Sequence, residues 1–139
     1  ISAYRLTMYE EAIAPLRWLV GNTTTFMGSE AKYTLAYIYF AQANMEASRK
    51  EINELLKRKP SYDYWIAKVL VLKSRIFVVE EDYVQAEQNL KSVKEHYPIQ
   101  DDGVIDEANA LWQEILLLKE AEEKKEEETP ETKIEINEE

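Results

Sequence analysis

Residues 31–60 read AKYTLAYIYFAQANMEASRKEINELLKRKP, and residues 69–98 read VLVLKSRIFVVEEDYVQAEQNLKSVKEHYP. Laid over one another with Pro60 on Pro98, an offset of 38 residues, they carry side chains of similar size at matching places. Leu55 falls on Val93, Ile52 on Leu90, Ser48 on Ala86, Tyr39 on Phe77 and Ala36 on Ser74. Within each stretch the apolar residues return at three- and four-residue steps, the period of a helix with one buried face. Each stretch is therefore read as two helices joined by a turn. Pro60 and Pro98 close the second helix of each, because proline has no N–H to donate. A further copy fits in part upstream, where Ala12 matches Ser48, Leu16 matches Ile52 and Leu19 matches Leu55.

Working outward, the periodicity predicts helices over about 9–20, 30–43, 46–58, 64–80, 83–96 and 103–123. Gly21-Asn22-Thr23-Thr24 breaks the first, and Gly28 and Ser29 precede the second. Asp63, Asp82 and Asp101 or Asp102 are the expected N-caps of the fourth, fifth and sixth, since a short carboxylate satisfies the free N–H groups of a first turn. After Glu120 the apolar period ends. Thr129-Pro130 is expected to stop any helix, and 124–139 reads as a solvated acidic tail. Within it, Lys133-Ile134-Glu135-Ile136 alternates like a strand.

The chain has 139 residues, 45% of them hydrophobic, with three Gly, four Pro, one His and no Cys. That is the length of one domain with a core and too few turn formers for an all-β fold. Without cysteine there are no disulfides, thiolate zinc sites or cysteine nucleophiles, and one histidine cannot build a histidine-rich metal site. The net charge is −10. Residues 120–139 hold ten acidic residues against three lysines, so most of the excess belongs to the tail. No basic run exists to attract phosphates, so nucleic acid is not an expected partner. No apolar run reaches the roughly 18 residues of a membrane span, so no membrane insertion is expected.

The paired helices resemble the tetratricopeptide repeat, a helix–turn–helix unit of about 34 residues. Ala36, Tyr39, Ser48, Ile52 and Pro60 match its pattern in one unit, and Ser74, Phe77, Ala86, Leu90 and Pro98 in the next. Lys32 and Leu70 stand where the family often has Trp, and the loops are longer than the family's. The resemblance implies an all-α solenoid of antiparallel helix pairs. Residues 1–123 are then one domain: a partial repeat over 1–28, repeats over 29–62 and 67–100, and a capping helix over 101–123. The acidic tail, 124–139, follows. It further implies the C-terminal part of a longer array, similar in style to tetratricopeptide proteins of bacterial cell envelopes.

In such an array the first helix of each repeat lines a concave face. That register turns Glu30, Tyr33, Tyr37 and Phe40 outward in one repeat and Lys68, Val71, Arg75 and Val78 in the next. The expected function is a non-catalytic scaffold that binds a protein or peptide on this face, the rings supplying contact area and Arg75 anchoring a carboxylate. The competing reading has the sixth helix or a neighbouring repeat cover these residues. Tyr62, Tyr64 and Trp65 form a second candidate patch, against a reading in which Trp65 packs on the preceding helix pair. An architectural segment that self-associates through its N-terminal edge, at Ile13, Leu16 or Trp18, is the alternative function. His96 is read as a residue of a last helical turn, and Asp101, Asp102, Asp106 and Glu107 as helix-capping groups. Asn22-Thr23-Thr24 is a glycosylation sequon read as plain loop. No catalytic residue, metal ligand or cofactor site is expected, because every acidic cluster falls at a helix end or in the tail.

Overall fold

The turns inside the two matching stretches are built alike, atom for atom. A computed structural model describes residues 3–22 and 26–138. Helix α2 (Phe26–Ala41) leads into α3 (Met45–Lys57), and α4 (Asp63–Val79) into α5 (Tyr83–His96). Past α2, Ala43 takes a left-handed φ of 61°; past α4, Glu81 takes 62°. The Asn44 N–H donates to the Tyr39 carbonyl at 2.8 Å and the Ala43 N–H to that of Phe40 at 3.0 Å. Thirty-eight residues on, Asp82 donates to Phe77 at 2.9 Å and Glu81 to Val78 at 3.0 Å. This pair of bonds is the Schellman ending, which satisfies the last carbonyls of a helix. The next residue then caps the following helix: the side chain of Asn44 accepts from the Ala47 N–H, and that of Asp82 from the Gln85 N–H. One residue thus ends one helix and starts another, leaving room for only a tight reversal.

Above each turn the two helices approach at the small residues. The Ser48 hydroxyl donates to the Ala36 carbonyl at 2.7 Å, and the Ser74 hydroxyl to the Ala86 carbonyl at 3.1 Å. All four residues are fully buried. A larger side chain would force the backbones apart and break these bonds.

Helix α1 (Ala3–Asn22) precedes the first hairpin, and α6 (Val104–Glu138) follows the second. Helices consecutive in sequence pack on one another, and α2 also packs on α4 and α4 on α6. One core cluster, with Ala36, Ile52, Leu55, Val69 and Ile76, joins α2, α3 and α4. The other, with Val71, Leu90, Val93, Leu111 and Ile115, joins α4, α5 and α6. Among the described residues the chain is all-α, with no strand.

Several expectations shift. Gly28 and Ser29 lie inside α2, buried, rather than ahead of it. The N-cap of α4 is Tyr62, with no side-chain bond, and Asp63 sits in the first turn, where its charge suits the positive helix end. Gly103 is the residue that flanks α6, its carbonyl accepting from the Glu107 N–H at 3.0 Å, and Asp102, one residue earlier, lends only its side chain, which accepts from the Val104 N–H at 3.1 Å. The largest difference is the length of α6. The backbone stays helical through 124–138, past Thr129-Pro130 and through the alternating segment at 133–136. A run of Glu, Lys and Ala has high helix propensity and needs no apolar face, and a Glu120–Lys124 pair at 3.5 Å supports it. The side chains of 121–127 are exposed. Those of Lys133 to Ile136, like the sequon residues Thr23 and Thr24, lie outside the described residues.

Candidate functional site

The helices α2, α4 and α6 bring four of the expected face residues into one strip. Lys68 of α4 holds its ammonium 5.3 Å from the centre of the Tyr33 ring on α2, within cation–π range. The same ammonium bonds Glu107 of α6 at 3.0 Å. Arg75, two turns along α4, places its guanidinium 3.6 Å from the other oxygen of Glu107. Tyr37, one turn beyond Tyr33, is 41% exposed and meets Tyr9 of α1 edge to face, with ring centres 6.4 Å apart. Burial raises the Tyr33 pKa, partly offset by Lys68, so the phenol stays protonated. Burial alone would lower the Lys68 pKa, but Tyr33 and Glu107 together raise it, so the ammonium stays charged. The strip is aromatic at the α1 and α2 end and ionic at the α6 end, with two cations sharing one carboxylate.

The other expected residues part from it. Val71 is fully buried in the α4–α5–α6 cluster, because α6 lies over that side of α4. It offers nothing to a partner, and the expectation that it faces outward is corrected. Phe40 and Val78 are half-buried against the core clusters. Glu107, read from sequence as a capping group, instead ties the strip to α6. Its partners are 39 and 32 residues away, so no local pattern could have revealed the pairing.

In the second patch Trp65 is buried, as packing on the preceding hairpin requires, and Tyr62 and Tyr64 are half-buried. Phe26 at the start of α2 completes it, with ring centres 5.3 Å from Tyr62 and 5.4 Å from Trp65. The Tyr33 ring centre lies 5.4 Å from that of Trp65, so this patch is joined to the strip.

A buried charge cluster lies under α1. Lys32 of α2 and Glu51 of α3 have side chains 7% and 2% exposed, with amine and carboxylate 2.6 Å apart. Lys32 also donates to Glu54, which lowers the Glu54 pKa below the usual carboxylate range. Arg17 of α1 reaches Glu51 at 3.2 Å and the Tyr39 hydroxyl at 2.5 Å. Sequence reading registered Lys32 only as a departure from the repeat pattern.

Between α4 and α5 a cleft of about 140 Å³ is lined by Ile66, Leu70 and Val93 together with Asp63, Ser92 and His96. The His96 Nδ1 lies 3.0 Å from the Ser92 main-chain carbonyl one turn back, a contact of a last helical turn. Among the described residues no group of three or more His, Cys, Asp or Glu is placed to hold a metal ion. No described helix is long and apolar enough to cross a membrane. Comparison of the chain with protein-family models, with curated proteins and with solved structures finds no match.

Proposed function

We propose that this chain is a non-catalytic scaffold of the tetratricopeptide type, binding a protein or peptide along the face shared by α2, α4 and α6. The observation that carries the reading is the strip itself. Tyr37 is half-exposed, Tyr33 and Lys68 are pre-set by burial and ion pairing, and Arg75 keeps donors to spare beyond its 3.6 Å contact with Glu107. Rigid rings beside a planar cation lose little entropy when a partner arrives. The repeated turn and crossing support a solenoid in which α2, α4 and α6 form the inner row. The carboxylate that Arg75 was expected to draw from a partner is partly supplied by Glu107, so a partner's acid would share the guanidinium.

The test is a binding titration of wild type, Tyr37→Ala, Arg75→Ala and Gln88→Ala against the partner recovered by the full chain. Gln88 is exposed on α5 and serves as the control. Loss of affinity of about 2 kcal/mol, roughly thirtyfold, at Tyr37 or Arg75 alone is the expected outcome. Equal affinities across the four proteins would sink the reading. The alternative, an architectural segment that self-associates through α1, is favoured by Trp18, 65% exposed, and by Met8, 52% exposed. Light scattering over a concentration series separates the two.

A further inference from the structure

Helix α1 differs from the other five in how it is held. None of its described side chains is buried, whereas every other helix contributes several buried residues. Tyr9, Ala12, Ile13, Leu16, Leu19 and Val20 are half-buried. Neither core cluster contains a described side chain of α1. The α2–α3 hairpin beneath it is closed independently, by its turn, by the Ser48–Ala36 bond and by its cluster with α4. Yet α2 also buries Ala31, Leu35 and Ile38, each at most 2% exposed, at four- and three-residue steps and outside both clusters. The helix packed on α2 before the first hairpin is α1. This apolar row, assigned to neither cluster, is the candidate for its seat.

The seat carries an unbalanced charge. Two carboxylates, Glu51 and Glu54, face one ammonium, Lys32. Lys50 approaches Glu54 only at 4.0 Å, from a side chain that is 73% exposed. Arg17 of α1 supplies the second cation to the inner carboxylate and donates to Tyr39 as well. In the second hairpin the matching positions are Leu70 for Lys32, Asn89 for Glu51, Ser92 for Glu54 and Phe77 for Tyr39. The charge therefore belongs to the place where α1 docks and is not a general property of the repeat.

We propose that the face of α2 and α3 beneath α1 is a docking site for a helix that presents apolar residues and a single cation at the place of Arg17, and that its resident α1 exchanges with α1 of a second copy of this chain. The apolar row gives affinity through residues spaced for one helix face, and the negative charge in excess of Lys32 selects a helix with a cation where Arg17 stands. A hairpin that keeps its own core when α1 leaves retains the site in working form. An exchangeable α1 also acts as an internal competitor, present at high effective concentration, that screens the site from weaker helices.

The experiment uses the full chain and a fluorescein-labelled synthetic peptide of residues 3–22, which stands for α1 of a second copy. The acceptors are wild type and Arg17→Glu, a substitution at a half-exposed side chain that weakens the resident helix and leaves the seat intact. The peptide should bind the Arg17→Glu chain at least about tenfold tighter than wild type, because the internal competitor is weakened. A peptide that itself carries Arg17→Glu should bind neither. Hydrogen exchange on the wild-type chain supplies the second readout: α1 amides should exchange ahead of those of α2 and α3. Equal affinity for both acceptors, no binding to either, or undiminished binding of the charge-reversed peptide overturns the proposal. So does exchange of α1 amides only together with those of α2 and α3.

Discussion

The two hairpins share a frame and differ in what they carry. In α2–α3 the hydroxyl at the close crossing sits on the second helix and bonds the first; in α4–α5 it sits on the first and bonds the second. Either arrangement joins the helices at the same height above the same turn. Around this frame the neighbours diverge. The first hairpin is faced by α1 over the buried Lys32–Glu51 pair, the second by α6 over Val71, Leu90 and Leu111. The difference teaches that turn and crossing set the register, while the outer surface of each hairpin answers to whichever helix covers it.

The comparison breaks most sharply at Glu51. Glu51→Gln leaves the Lys32 ammonium in the interior with only Glu54 to face it, and should cost about 3 kcal/mol in urea unfolding, as loss of one partner of a buried pair does. Copying the second hairpin instead, with Lys32→Leu and Glu51→Asn together, should recover most of that loss, because no buried charge then remains. If the double variant is as unstable as the single one, the two hairpins do not share interchangeable interiors. At the crossing, Ala86→Leu overpacks a site with no free volume and should cost on the order of 2 kcal/mol. A change within error there would mean that the aligned small residues are not what sets the helix separation.

The turns offer a smaller and opposite effect. Ala43 and Glu81 both hold a left-handed φ that a Cβ disfavours, so Ala43→Gly and Glu81→Gly should each stabilise by about 1 kcal/mol. The two gains should agree within error if the turns are equivalent, as thermal unfolding of each variant would show. A last effect appears only in alkali. Burial, with help from the bond to Asp102, pushes the Tyr97 pKa up to about 12 from its ordinary value. Above that ordinary value, about 10, the unfolded chain gives up the proton more readily, so stability is whole below pH 10 and falls as pH rises toward 12. Tyr97→Phe should flatten this decline. An unchanged slope would show that another group governs it.

How far each feature could be read in advance follows from the range of its interactions. The register was legible because small and large side chains recur at helical spacing, and Asp82 was legible as a cap because the N–H it accepts from lies three residues away. The turns hid their left-handed residues, since Ala43 and Glu81 stand where glycine would announce the conformation. The burial of Val71 was hidden because it depends on α6, more than 30 residues downstream, and a valine in a lining position looks the same covered or open. The pairings of Lys32 and of Glu107 span distant helices, and charges on an amphipathic helix read as solvent-facing until a neighbour covers them. The strip residues Tyr33, Tyr37, Lys68 and Arg75 were found by register alone, while cover by the sixth helix stood only as the competing reading, with no residue named for it. The extension of α6 escaped because its stability comes from propensity and not from an apolar period.

That extension sets how far the molecule reaches. At 35 residues, α6 is about 52 Å long at 1.5 Å per residue, while the residues it gives to the core cluster, Val104 to Ile115, fall in its first third. Beyond them the helix runs on as a lever arm, its side chains exposed over 121–127. A small tilt at the packed end is multiplied along that length, so whatever the last turns carry sweeps a wider arc than anything on the two hairpins.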